Sequence, residues 1–92
     1  MTIEQIIKEN KCSIVDVRTY EEFQGGHVVD SLNLPLHIIS DQVETLKKMP
    51  QPIVLVCASG GRSGQAAQYL SQCGIDCVNG GPWTNVNYFK SL

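Results

Sequence analysis

The amino-acid sequence predicts an α/β domain: a small, mainly parallel sheet of about four to five strands flanked by helices on both faces. Three observations carry this expectation. Short β-branched runs alternate with amphipathic helical stretches along the whole chain, the order produced by right-handed crossovers. The stretch IVLVC, residues 53–57, is apolar at every position, as a strand covered on both faces has to be. The 92 residues suffice for one domain, spanning 1–92, and not for two. A chain this short buries roughly 60–65% of its unfolded surface, enough to fold alone with little stability to spare.

Each element has a local reason. Ile3, Ile6 and Ile7 fall at helical spacing behind a capping Thr2, so residues 2–10 form a short helix. CSIVDV, 12–17, is a compact buried strand. TYEEF, 19–23, is a helical turn capped by Thr19 and ended by Gly25-Gly26. SLNLPL, 31–36, is a short extended segment in which Pro35 favours an edge or a strand end. Residues 38–48 carry Ile39, Val43 and Leu46 at helical spacing, with Ser40 or Asp41 as N-cap and Pro50 and Pro52 as stops. After the 53–57 strand, residues 63–73 form a helix using Ala66, Ala67, Tyr69 and Leu70, ended by Gly74. DCVNGG is a last short strand, and a terminal helix begins near Pro82.

Composition narrows the function. With 42% hydrophobic and 17% charged residues and a net charge of −2, the chain is an ordinary globular protein, and neither nucleic acid nor an anionic membrane is its expected partner. Its longest apolar run, Ile53 to Ala58, is far too short to span a bilayer. The N-terminus reads as an amphipathic helix rather than a signal peptide, so a cytoplasmic location is expected. The four cysteines are then expected as reduced thiols. Their spacing does not match a metal site, so no metal is expected.

The chemistry concentrates in VLVCASGGRSG, 54–64. A buried strand ends on Cys57, the four small residues Ala58, Ser59, Gly60 and Gly61 follow, and Arg62 and Ser63 open a helix. Glycines let the backbone curl so that several N–H groups converge on one point. The unpaired N–H groups and positive dipole end of the following helix face the same point. A thiolate on Cys57 would sit there with a lowered pKa, helped by Arg62. In parallel sheets, ligands bind beyond the carboxyl ends of the strands, which is where Cys57 lies. The competing reading is an ordinary Gly-rich turn with a buried structural cysteine. The joint order of these residues favours a functional loop.

Three segments in order resemble the rhodanese family of single-domain sulfurtransferases, over nearly the whole chain. IVDVRTYEEFQGGHVVDSLNLPL resembles its first signature, IVLVCASGGRS its active-site loop, and VNGGPWTNV its closing Gly-Gly and Trp segment. Asp30 departs from the glycine common at that position; aspartate tolerates the left-handed conformation better than most residues. The resemblance implies a rhodanese-like fold and a sulfur transfer without cofactor or metal. Cys57 would take the outer sulfur of a small anionic donor, thiosulfate or a persulfide, and pass it as a persulfide to cyanide or a thiol. The N–H groups of Ala58, Ser59, Gly60, Gly61, Arg62 and Ser63 would stabilise the anionic sulfur. Arg62 would orient the donor, and Ser63 would cap the helix or donate a further hydrogen bond. The acceptor would be a thiol, such as that of a thioredoxin-like or sulfur-relay protein.

Asp16 and Arg18 read as structural: a carboxylate at the end of a buried strand accepts hydrogen bonds from neighbouring N–H groups or pairs with a cation. His27 and His37 lack an evident chemical partner, and a thiolate held by N–H groups needs no base. Cys73 and Cys77 read as packing residues, with a resolving role as the alternative. Trp83 reads as packing. Two rival functions are a non-catalytic protein-binding module, against which the retained Cys57 and Arg62 count, and a phosphatase or arsenate reductase of the same fold. The latter enclose a tetrahedral oxyanion with one residue more between Cys and Arg, whereas this shorter loop suits a single sulfur and carries no acidic residue.

Overall fold

A computed structural model describes residues 1–92. Four strands, β1 (Ser13–Asp16), β2 (Leu32–Asn33), β3 (Ile53–Cys57) and β4 (Cys77–Pro82), form one sheet in the order β2-β1-β3-β4. Every pairing is parallel. The helices are α1 (Ile3–Glu9), α2 (Tyr20–Gln24), α3 (Val43–Lys47), α4 (Gly61–Gln72) and α5 (Trp83–Lys90), with a 3-10 segment at Leu36–Gln42. The α/β class and the helical cover on both faces are as the sequence predicts.

The period of two along β3 separates two cores. Ile53, Leu55 and Cys57 point to one face, where Ile39, Leu46, Ala66 and Leu70 from the 3-10 segment, α3 and α4 cover them. Val54 and Val56 point to the other, against Ile7 of α1 and Val86 of α5. All five β3 residues are fully buried, which is why the strand contains no polar residue. Burial of each such aliphatic side chain contributes about 1.5–3 kcal/mol.

Both small N-terminal helices are closed by capping boxes: Thr2 with Gln5 and Thr19 with Glu22 exchange side-chain and backbone hydrogen bonds. Asp30 adopts φ +67°, the left-handed conformation expected from its place in the first signature. Two expectations are corrected. The segment 38–48 is not one α-helix capped by Ser40 or Asp41, because a 3-10 turn begins after Pro35 and α3 starts only at Val43. The Leu36 N–H donates to the Val17 carbonyl at 3.0 Å, which ties the segment to the end of β1 and tightens it. The helix expected at 63–73 starts two residues earlier, at Gly61, because Gly60 at φ +105° turns the chain directly into it.

β4 crosses β3 with a register shift between Leu55 and Val56. A Cβ at Gly80 would stand 2.7 Å from Val54 Cγ1 and 3.1 Å from the Leu55 carbonyl oxygen, so the strands approach closely only because residue 80 is glycine. Gly80→Ala is expected to lower stability by about 1–3 kcal/mol through overpacking. A urea midpoint shifted downward with unchanged slope checks this.

Candidate active site

β3 ends at the carboxyl edge of the sheet and presents Cys57 to the α4 face. Its sulfur lies in a turn of backbone donors. The Gly60 N–H donates to it at 2.9 Å, and the Ser63 hydroxyl lies 3.3 Å away. Burial acts to raise the thiol pKa, but the Ser63 hydroxyl and the N–H groups of Ser63, Gly60 and Ser59 outweigh it, and the pKa is lowered. The N-terminus of the twelve-residue α4 faces the same sulfur and adds about 0.3–1 kcal/mol for an anion.

The sequence-predicted loop residues divide by geometry. Ser59, Gly60 and Ser63 direct donors at the sulfur, whereas Ala58 and Gly61 are exposed on the rim and make no hydrogen bond to it. Ser63 does not cap α4: the N-cap is Gly60, and no side chain takes up the helix's first N–H groups. A side-chain cap would consume the donors that the sulfur uses. The Ser63 hydroxyl instead lies between the sulfur and Asn79 Oδ1, 2.7 Å away. Asn79 also donates from Nδ2 to the Gly60 carbonyl at 3.1 Å and accepts the Gly81 N–H at 3.0 Å. Asn79 therefore holds the Gly60 carbonyl toward β4, on the side of the residue opposite the N–H that faces Cys57. Sequence reasoning missed it; a lone amide in a strand beside the Gly-rich loop was the available signal.

Arg62 does not contact the sulfur. Its guanidinium is held bidentately by Glu22, Nη1 to Oε1 at 2.7 Å and Nη2 to Oε2 at 3.0 Å. The hydrogen bond from Arg62, then one from Thr19, lowers the Glu22 pKa to about 2, so the pair is ionised at neutral pH. Glu22 is the second residue missed, because forty positions separate it from Arg62.

Behind this pair stands a buried ion pair at the end of β1. Arg18 Nε donates to both Asp16 oxygens at 3.0 Å, and Nη2 to Oδ2 at 2.8 Å. Arg18 also reaches the carbonyls of Gly26 at 2.7 Å and Glu22 at 3.3 Å, and lies 4.8 Å over the Trp83 ring. These contacts join the first and the closing motif segments and hold α2, which carries Glu22, against the sheet. Asp16, Arg18 and Trp83 are thus placed as structural residues.

His27 stacks on Phe23 and contacts its carbonyl through Nδ1 at 2.7 Å, a turn contact. Cys77 pairs in register with Ile53, while Cys57 pairs with Pro82, so Cys77 lies at the far end of the sheet, roughly 13 Å along the strand. It donates to the Ala67 carbonyl. Cys73 follows the last turn of α4, again the end remote from Cys57. All four cysteines are free. Beyond Arg62 runs a groove of about 530 Å³ with Val17, Leu36, Ile39 and Tyr69 among its lining.

Comparison with known proteins supplies the family. The model of the rhodanese-like domain matches residues 2–85. A sulfurtransferase of Allochromatium vinosum is 41% identical over 71% of this chain and 60% of its own length. The thiosulfate sulfurtransferase GlpE of Pseudomonas savastanoi is 36% identical over 80% of this chain and 69% of its own. Among solved structures, a rhodanese-like domain protein from Staphylococcus aureus superposes with a TM-score of 0.74 at 32% identity, covering 87% of this chain and 83% of that one. A rhodanese with anions from E. coli superposes with a TM-score of 0.72 at 29% identity, covering 79% and 88%. By its fold, its loop and these relatives, the chain belongs to the rhodanese-like domain family.

Proposed function

We propose that the domain is a sulfurtransferase. It moves a sulfane sulfur from thiosulfate or a persulfide donor to a thiol or cyanide acceptor through a persulfide on Cys57. The observation that carries this reading is the Cys57 sulfur, with a lowered pKa, held by the Gly60 N–H and the Ser63 hydroxyl at a helix N-terminus. The named activity of the relatives supports it.

The steps follow from the donors. The Cys57 thiolate attacks the outer sulfur of thiosulfate, the S–S bond breaks, and sulfite leaves with the electron pair. The new terminal sulfur carries one negative charge within reach of the N–H groups at the start of α4, which stabilise it as they stabilise the thiolate. An acceptor thiolate or cyanide then attacks that outer sulfur and releases the Cys57 thiolate. No group beyond this chain's own residues is required. Cys57 is buried under its loop, so the small residues 58–61 have to yield for a donor to reach the sulfur. The exposed rim suits a thiol on a thioredoxin-like or sulfur-relay protein as acceptor, in a reducing compartment such as the cytoplasm. No helix is long and apolar enough to cross a membrane.

The test is sulfite release from thiosulfate in the presence of a thiol acceptor. Release that depends on Cys57 supports the reading, and no release with thiosulfate or a persulfide overturns it. The pH profile adds a sharper check. Ser63→Ala removes a donor to the thiolate, so the inflection in alkylation rate against pH is expected to move upward. The rate at pH 7 is expected to fall about tenfold, the lower end of the scale for one hydrogen bond to a charged group.

A further inference from the structure

The Glu22–Arg62 pair bears on which donor the site accepts. Glu22 is not a casual surface partner. Its carboxylate also accepts the Thr19 N–H at 3.1 Å and lies 3.2 Å from the Thr19 hydroxyl. Its own carbonyl is bound by Arg18. Side chain and backbone are therefore both fixed before any donor arrives, and Arg62 is held in a bidentate fork. The one cation at the rim of the loop is thereby neutralised. With Cys57 ionised, the thiolate, Arg62 and Glu22 leave one net negative charge, and the Asp16–Arg18 pair adds none. A dianion such as thiosulfate approaches this site against its charge.

The other side of Arg62 opens on a groove whose surface is mostly apolar. The groove has room for an organic body of modest size; Val17, Leu36 and Tyr69 line it beside Thr19, His37 and Gln65, and no carboxylate does. We propose that Glu22 sets donor choice: by compensating Arg62 it disfavours thiosulfate, and the preferred donor is an organic persulfide of low charge whose apolar body lies in this groove. The proposal rests on the sulfurtransferase reading and specifies its donor. The step balances without an oxidant: the Cys57 thiolate attacks the outer sulfur of R–S–SH and the S–S bond breaks. R–S⁻ leaves with the electron pair, and the outer sulfur keeps its proton on Cys57.

The test compares kcat/KM for thiosulfate, a dianion, with that for benzyl persulfide, a donor of at most one negative charge with an apolar body. Glu22→Gln keeps an acceptor for Thr19 and for Arg62 but removes the charge. It is expected to raise the thiosulfate-to-persulfide ratio about tenfold, through a lower KM for thiosulfate. Glu22→Asp, which restores the carboxylate, is expected to return the ratio toward that of the unaltered protein. Tyr69→Ala trims an exposed wall of the groove and is expected to raise the ratio about threefold through a higher KM for benzyl persulfide. A ratio unmoved by Glu22→Gln, or benzyl persulfide used less well than thiosulfate by the unaltered protein, overturns the proposal and leaves sulfur transfer standing. Failure of both donors to place sulfur on Cys57 overturns both.

Discussion

Cys57→Ser is expected to reduce sulfite release from thiosulfate by more than about a thousandfold, equivalent to roughly 4 kcal/mol of lost transition-state stabilisation. Serine is nearly the size of cysteine and accepts the same N–H groups, so the cradle and the fold persist. What disappears is the nucleophile: a serine hydroxyl without a base stays protonated where the cysteine thiol, its pKa lowered by the Ser63 and Gly60 donors, ionises. The structure places no base on the residue 57 side chain, whose hydrogen-bond partners are the Gly60 N–H and the Ser63 hydroxyl. Unchanged melting with lost sulfite release is the expected pair of measurements. Activity retained in this variant would place the nucleophile among Cys12, Cys73 and Cys77, which lie at the far end of the sheet and of α4 from the loop.

The second large effect is on stability. Asp16→Ala is expected to cost about 3–5 kcal/mol, because it leaves the Arg18 guanidinium buried without its counter-charge. Arg18 is only 4% exposed and Asp16 is fully buried. What remains to Arg18 is two carbonyls and the Trp83 ring. For a domain of this size such a loss lowers the melting temperature by more than about 10 °C. Asp16→Leu combined with Arg18→Met removes both charges and is expected to be more stable than Asp16→Ala alone, since desolvation then costs nothing. Thermal melts of the two variants side by side check this. A double variant less stable than the single one would show that the pair stabilises the fold beyond compensating its own burial.

The fold was largely legible in the sequence because its signals are local. The apolar, β-branched run at 53–57 reads as a covered central strand, and Thr2 and Thr19 announce helix starts that the capping boxes confirm. The 36–47 region misled because the spacing of Ile39, Val43 and Leu46 is compatible with both an α-helix and a 3-10 turn running into one. The contact that decides between them, Leu36 N–H to Val17 O, is long-range. The site divides in the same way. Cys57 and the donors of residues 59–63 are contiguous, so strand, glycine and helix start could be read in order. Glu22 and Asn79 come from other segments, and only the parallel sheet brings them to the loop. Arg62 shows the consequence: its sequence neighbours point it at the sulfur, while its partner across the fold draws it to a carboxylate.

The central claim is that Cys57 carries the transferred sulfur. Intact mass after incubation with thiosulfate or benzyl persulfide, followed by peptide mapping, tests it without any acceptor. The account predicts a gain of one sulfur, about 32 Da, located on Cys57 and lost on addition of a thiol. No gain with either donor, or a gain that persists in Cys57→Ser, would contradict it.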